Sequence, residues 1–101
     1  MDGFQGQVDK DDVEQGIGRK IYKNNGDTYE GEFKDGFQHG YGRMIYGIDH
    51  EIDYHIGEWQ NGIKHGQGLT MFKDGEFQQG MWENGQFMGG EESDSDVDKS
   101  D

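Results

Sequence analysis

A twelve-residue frame that occurs twice in phase constrains what this chain can fold into. Gly31-Glu32-Phe33-Lys34-Asp35-Gly36-Phe37-Gln38-His39-Gly40-Tyr41-Gly42 is matched by Gly57-Glu58-Trp59-Gln60-Asn61-Gly62-Ile63-Lys64-His65-Gly66-Gln67-Gly68. From each first glycine, an aromatic falls at +2, a glycine at +5, histidine at +8 and glycines at +9 and +11. A third copy opens at Gly80 with Trp82, Gly85 and Gly89, and a degraded one, a residue longer and lacking the turn glycine, is carried by Gly6, Val8, Gly16 and Gly18. The starts at Gly31, Gly57 and Gly80 lie 26 and 23 residues apart, a period that belongs to repeat architectures built from one small unit.

Asp35-Gly36, Asn61-Gly62 and Asn84-Gly85 are the dipeptides of two-residue type I′ hairpin turns, which need positive φ at both positions. Each frame therefore reads as a β-hairpin, and the chain as all-β. A strict two-residue loop sets Phe33 opposite Gln38, Glu32 opposite His39, Gly31 opposite Gly40 and Tyr29 opposite Gly42. Opposed side chains share a face. Tyr29, Phe33, Met44 and Tyr46 then lie on one side among Gly31, Gly40 and Gly42, with rings flat over a glycine floor, while Glu30, Glu32, His39, Tyr41 and Arg43 face the other way. The second frame divides likewise: Trp59, Phe72, Gly57, Gly66 and Gly68 on the aromatic side, Glu58 opposite His65 on the other. Such a floor accounts for strand glycines, which otherwise weaken a sheet.

Only 29% of the 101 residues are hydrophobic and the net charge is -13, values that without patterning would suggest disorder. The acidity sits mostly in the flanks: residues 1–14 hold five acids against Lys10, and residues 91–101 hold six against Lys99. The organisation expected is an acidic N-terminal arm with a degraded half-repeat over 1–14, a repeat sheet of about three hairpins over 15–90, and a disordered acidic tail over 91–101. Ser93 and Ser95 each precede an aspartate by three residues, the spacing of acidophilic phosphorylation, which would add about -1.5 to -2 charges per site. There is no cysteine, and so neither a disulfide framework nor a cysteine zinc site. No apolar run approaches the ~20 residues of a membrane span, and the first residues lack a signal-peptide pattern, which points to a soluble cytoplasmic protein.

The connections are less regular. Asn25-Gly26 as a two-residue turn would set Tyr22 opposite Tyr29, on the aromatic face. Residues 47–53 hold the three extra residues of the longer period and read as a bulged or protruding hairpin. A two-residue turn in Lys73-Asp74-Gly75-Glu76 would pair Phe72 with Phe77, although frame counting puts them on opposite faces, so a bulge is expected there.

With Tyr29, Gly31, Phe33, Gly36, His39, Gly40 and Gly42 in one unit, Gly57, Trp59, Gly62, His65, Gly66 and Gly68 in the next, and Gly80, Trp82 and Gly85 opening a third, the arrangement resembles the MORN repeat, membrane occupation and recognition nexus. The resemblance covers roughly residues 15–89. It implies a single-layer twisted antiparallel meander of stacked hairpins, used as a scaffold, in a family found in ciliary, flagellar, cytoskeletal and junctional proteins. Those glycines and the two histidines are its structural positions. His55 and Gln78 stand where the pattern has its first aromatic, with Tyr54 and Phe77 one residue early, so a break in the aromatic row is expected there.

Function classes then narrow. His39 and His65 sit on strands two spacings apart, about 9–10 Å, too far to share a zinc ion held at ~2.1 Å; their expected role is a hydrogen bond across to Glu32 and Glu58. His50 and His55, near Asp49, Glu51 and Asp53, would make a metal site only if the long loop folded back, and have no serine or cysteine nucleophile beside them. No catalysis, metal or cofactor is expected, and the 9–14 acids lack the glycine and spacing of a calcium loop. The charge of -13 disfavours nucleic acid and direct binding to anionic membranes. The function expected is a protein-docking scaffold that takes a partner helix or extended segment along Tyr22, Tyr29, Phe33, Tyr46, Trp59, Phe72 and Trp82. By family analogy it would be a small subunit of a cytoskeletal assembly such as a ciliary or flagellar axoneme. The open sheet edges also admit a homodimer. The alternative is an aromatic hairpin array binding choline or cell-wall glycan, whose paired Trp-Tyr-Tyr motifs are absent here.

Overall fold

A computed structural model describes residues 3–92, so Ser93 and Ser95 lie outside the described residues. Eight strands follow one another: β1 (Gly3–Val8), β2 (Glu14–Tyr22), β3 (Asp27–Lys34), β4 (Phe37–Ile45), β5 (Ile52–Gln60), β6 (Ile63–Phe72), β7 (Phe77–Glu83) and β8 (Gln86–Glu92). They form one antiparallel sheet in chain order, a meander open at β1 and β8. Among the described residues there is no helix. The sheet runs past the expected 15–90 at both ends, because β1 pairs with β2 and β8 continues to Glu92. In the β1–β2 connection, Asp12 (φ 64°) does the work of the missing turn glycine, and the Asp9 carboxylate accepts the Asp11 and Val13 amides. Those two hydrogen bonds hold the Asp9 carboxyl below its usual pKa.

The three predicted type I′ turns are present, with φ of 52° and 86° at Asp35-Gly36, 51° and 83° at Asn61-Gly62, and 53° and 81° at Asn84-Gly85. Each is tied to the hairpin before it. The amides of Gly36, Gly62 and Gly85 donate to the carbonyls of Glu14, Gln38 and Lys64 at 2.9–3.0 Å. This backbone latch is what stacks one unit on the next.

The expected register fails two residues beyond the turn. Phe33 does face Gln38, but Gly31 faces Gly42 instead of Gly40, Tyr29 faces Met44 instead of Gly42, and Glu32 stands against a bulge instead of pairing with His39. Gly40 enters the left-handed region at φ 79°, and the Glu32 carboxylate closes the bulge by accepting the Tyr41 amide at 3.2 Å. The second unit repeats this, with Gly66 at φ 81° beside the Glu58 carboxylate and Gly57 facing Gly68, so Glu58 does not pair with His65. The His-Gly-x-Gly signature is therefore a bulge, one glycine making it and the next returning the strand to register. Gly40→Ala has to strain this position by about 1–2 kcal/mol and displace Glu32 as well. A thermal melt of that variant showing no loss would refute the assignment.

The bulges align one glycine per strand. Gly6, Gly18, Gly31, Gly42, Gly57, Gly68, Gly80 and Gly90 face one another in a single row across the whole sheet.

The connections also depart from expectation. Residues 23–26 make a longer turn closed by the Gly26 amide on the Tyr22 carbonyl, so Lys20, not Tyr22, faces Tyr29. Both tyrosines keep the predicted face, since the slip is by two. At 73–75, a three-residue loop with Gly75 at φ 97° sets Met71 against Phe77 and Phe72 against Glu76. Phe72 and Phe77 thus keep opposite faces through the loop, and no strand bulge is needed between β6 and β7. The loop at 47–51 is held by the Asp27 carboxylate on the Gly47 amide and by the Lys73 ammonium on the Gly47 carbonyl.

Candidate functional site

The two faces of a single-layer sheet are separate sites, and in this chain they differ. On the first, a ring two residues before a row glycine leans over the row glycine of the next strand: Phe4 over Gly18, Tyr29 over Gly42 and His55 over Gly68. The rings also touch one another without interruption. Phe4 meets Phe33 at 5.1 Å, Phe33 meets Tyr29 at 5.1 Å, Tyr29 meets Trp59 at 5.6 Å, and His55 meets Trp59 at 5.3 Å and Trp82 at 4.7 Å, mostly edge to face. Trp82 reaches Phe87 at 4.7 Å. The break expected at His55 does not occur, because an imidazole is flat enough to take the ring's place over glycine.

His55 is fully buried, with Nδ1 2.6 Å from the Thr70 hydroxyl and Nε2 without a partner. Burial, aided by the nearby Lys64 ammonium, pushes its pKa down to about 3. Tyr29 donates its hydroxyl to the Glu32 carbonyl and Trp59 its indole N–H to the Gly42 carbonyl, which pins both to the backbone. Burial raises the phenol pKa of Tyr29, and raises that of Tyr46 to about 12.

Of the seven aromatic residues predicted to form a docking row, Tyr29, Phe33, Trp59 and Trp82 are 0–5% exposed. They form the hydrophobic core of the fold. Tyr22, Tyr46 and Phe72 are half-buried, Tyr22 accepting a hydrogen bond from Gln38 and Tyr46 lying beneath Lys64 with the ammonium 5.6 Å from the ring centre. Covered rings also lack the free faces on which a sugar or choline would stack. The predicted histidine–glutamate pairs do not form: Glu32 is spent on the bulge, and His39 Nδ1 is buried without a partner. His50 and His55 are not brought together. His50 is exposed and accepts the Ile52 amide, whereas His55 is enclosed in the ring row. Among the described residues no group of three histidine, cysteine or acidic side chains could hold a metal, and no helix is long and apolar enough to cross a membrane.

The second face is open. One cross-strand row on it reads Arg19, Glu30, Arg43, Ile56, Leu69, Gln79, Glu91. Its first part is a charged ladder in which Glu30 takes both Arg19 (3.1 Å) and Arg43 (2.8 Å), so that the Arg43 and Arg19 contacts hold its carboxyl below the usual range. Beyond Arg43 the row turns apolar. Tyr41, Ile56, Leu69, Gln67 and Gln79 line a hollow of about 350 Å³, with Tyr41 57% exposed. A second hollow of similar size lies next to it, lined by His65, Met81, Glu83 and Met88, with the two methionines 44% and 58% exposed.

Alternation within the frames assigns Glu30, Glu32, His39, Tyr41, Arg43, Glu58 and His65 to this face and says nothing of its apolar centre. The missed residues were marked by alternation: apolar Tyr54 and Ile56 alternate with His55 and Gly57, and apolar Leu69 and Met71 alternate with Gly68 and Thr70. Strands that are apolar in both phases are normally covered on both sides. Here, among the described residues, nothing covers the second side.

A family model described as MORN repeat matches residues 29–48 and 55–77, the two units with the complete frame. No curated protein matches the sequence significantly.

Proposed function

With MORN repeats at residues 29–48 and 55–77, the chain is a MORN-repeat protein, and we propose that it is a non-catalytic docking scaffold that takes its protein partner on the open face of β4–β7. MORN repeats are generally interaction motifs without catalytic chemistry. One observation carries the choice of face: the ring row is closed by its own packing, whereas exposed Tyr41 and Met81 and half-buried Ile56 and Leu69 present an apolar surface that no other described residue covers. Exposed apolar patches of this kind are a mark of interaction sites.

We further propose, on the analogy of the family, that it serves as a small subunit of a cytoskeletal assembly such as an axoneme. Capture from ciliated-cell lysate tests both parts, using wild type, Leu69→Glu on the open face, and Tyr22→Ser with Phe72→Ser on the ring side, each first shown to be folded by circular dichroism. The expected result is a cytoskeletal partner lost only with Leu69→Glu. Loss only with the ring-side pair would return docking to the ring row, and a partner set lacking cytoskeletal proteins would remove the axonemal reading.

A further inference from the structure

Resting on that docking reading, we infer that the occupant of the open face is an amphipathic helix with a basic rim, about ten residues of it in contact. Three features of the face select it.

The first is charge. Across β5–β8 the open face carries Glu58, Glu83 and Glu91 around its apolar centre. The only lysine or arginine in those four strands, Lys64, faces Trp59 on the ring side, half-buried, with its ammonium over Tyr46. The arginines at the other end of the row, Arg19 and Arg43, are both held by Glu30. A partner therefore meets an apolar strip whose β7–β8 side offers carboxylates alone. A lysine or arginine leaning over that side gains an ion pair, and an acid there meets repulsion.

The second is the backbone. Strands β4 to β7 are each paired on both sides, so their amides and carbonyls are already spent in the ladder. An extended segment binds a sheet by adding to an edge. On this face there is no edge, and the occupant has to bind through side chains projecting from one side of a regular element.

The third is size. From β4 to β7 the apolar strip spans three strand spacings, about 14 Å, the length of about ten helical residues at 1.5 Å each. The hollow at Tyr41, Ile56 and Leu69 and the hollow at Met81 and Met88 are each about 350 Å³. Each has room for one bulky apolar side chain, two anchors a turn or two apart on one helix stripe. Methionine, unbranched and adaptable, suits such a seat.

The test uses the full chain and three synthetic 14-residue helical peptides, in which leucines at i, i+3, i+4 and i+7 are combined with lysine, glutamate or glutamine elsewhere. Amide shifts in a nuclear magnetic resonance titration locate each one. The lysine peptide is expected to bind on the order of tenfold tighter than the glutamine peptide, more weakly as salt rises, with shifts centred on Ile56, Leu69, Gln79 and Met81. Leu69→Glu is expected to abolish those shifts, and Glu83→Lys with Glu91→Lys to remove the preference for lysine. Equal binding of the three peptides overturns the inference, as does a lysine peptide whose shifts fall on the acidic flanks and survive Leu69→Glu, since that is charge attraction without a seat. If Leu69→Glu loses the lysate partner while the peptides show no preference for lysine, the docking reading stands and the basic helix falls. If the lysate partner is indifferent to Leu69→Glu, the docking reading falls and takes the helix with it.

Discussion

Gly42→Ala is expected to cost about 3 kcal/mol or more, and to leave the sheet largely unfolded in concentrations of urea that wild type tolerates. A Cβ at this position would lie 2.6 Å from Tyr29 Cε1 and nearer still to the hydroxyl. The Tyr29 ring cannot yield, because Phe33 and Trp59 stand against it and its hydroxyl is bonded to the Glu32 carbonyl. Overpacking of a filled site costs about 1–3 kcal/mol, and expelling a buried ring adds to it, against a total stability of roughly 5–15 kcal/mol for an ordinary domain. The check is the urea midpoint, read through the buried tryptophans. Gly3→Ala, with nothing near the new methyl, is the control and should be neutral. The cause is isolated by repeating Gly42→Ala in a Tyr29→Ala background, where the substitution should cost far less; an unchanged cost would show that the ring is not what the glycine makes room for.

Acidification through the range where histidine ordinarily titrates should unfold the protein earlier than its carboxylates would. His55 has a folded-state pKa lowered to about 3 from an ordinary 6.5, first by burial and then by Lys64. Below pH 6.5 the unfolded chain binds a proton at this position and the folded chain does not. The stability that the neutral imidazole contributes is therefore complete above pH 6.5 and is lost progressively down to about pH 3. At about 1.4 kcal/mol per unit, the loss between pH 7 and pH 5 is about 2 kcal/mol. The carboxyls of Asp9 and Glu30, whose pKa values are also lowered by hydrogen bonds, act in the same direction but from starting values of 3.8 and 4.5, so the window from pH 7 to 5 singles out the histidine. His55→Tyr should flatten that slope. It restores the ring found at Tyr29, whose counterpart hydroxyl bond would run to the Glu58 carbonyl, and it removes the unpartnered Nε2. Chemical denaturation at pH 7 and pH 5 decides it, and a slope that persists in His55→Tyr would mean that the proton binds elsewhere.

Both results depend on how the hairpins register, which local sequence conveys only in part. Asp35-Gly36, Asn61-Gly62 and Asn84-Gly85 announce their turns because positive φ at two successive residues is a local demand that few residue types meet. The division of Tyr29, Phe33, Trp59 and Trp82 from Glu30 and Arg43 follows from strict alternation, and it survives any slip by two. What alternation does not convey is the slip itself. Gly40 and Gly66 were legible as strand glycines but not as bulge makers, because a bulge is completed by a partner on another strand, the carboxylates of Glu32 and Glu58. His55 looked like an interruption of the aromatic row for the same reason: nothing adjacent in sequence shows that Thr70, Trp59 and Trp82 surround it. Tyr22, Tyr46 and Phe72 were placed on the correct face, yet whether a ring on that face is open to a partner is a matter of its neighbours.

The sequence by itself determined the unit, its period and its turns, and with them an all-β meander, since the unit and its turns rest on residues within a dozen positions of one another and the period on the recurrence of that frame along the chain. The tertiary structure alone decided that eight glycines fall in one row, that the rings above it close into a core, and that no described residue covers the opposite side of β4–β7. Those outcomes depend on summed bulges and on which strand lies beside which. A single extra residue in one strand moves every later side chain to the other face, so accessibility in a one-layer sheet is a property of the whole stack, and no single repeat carries it.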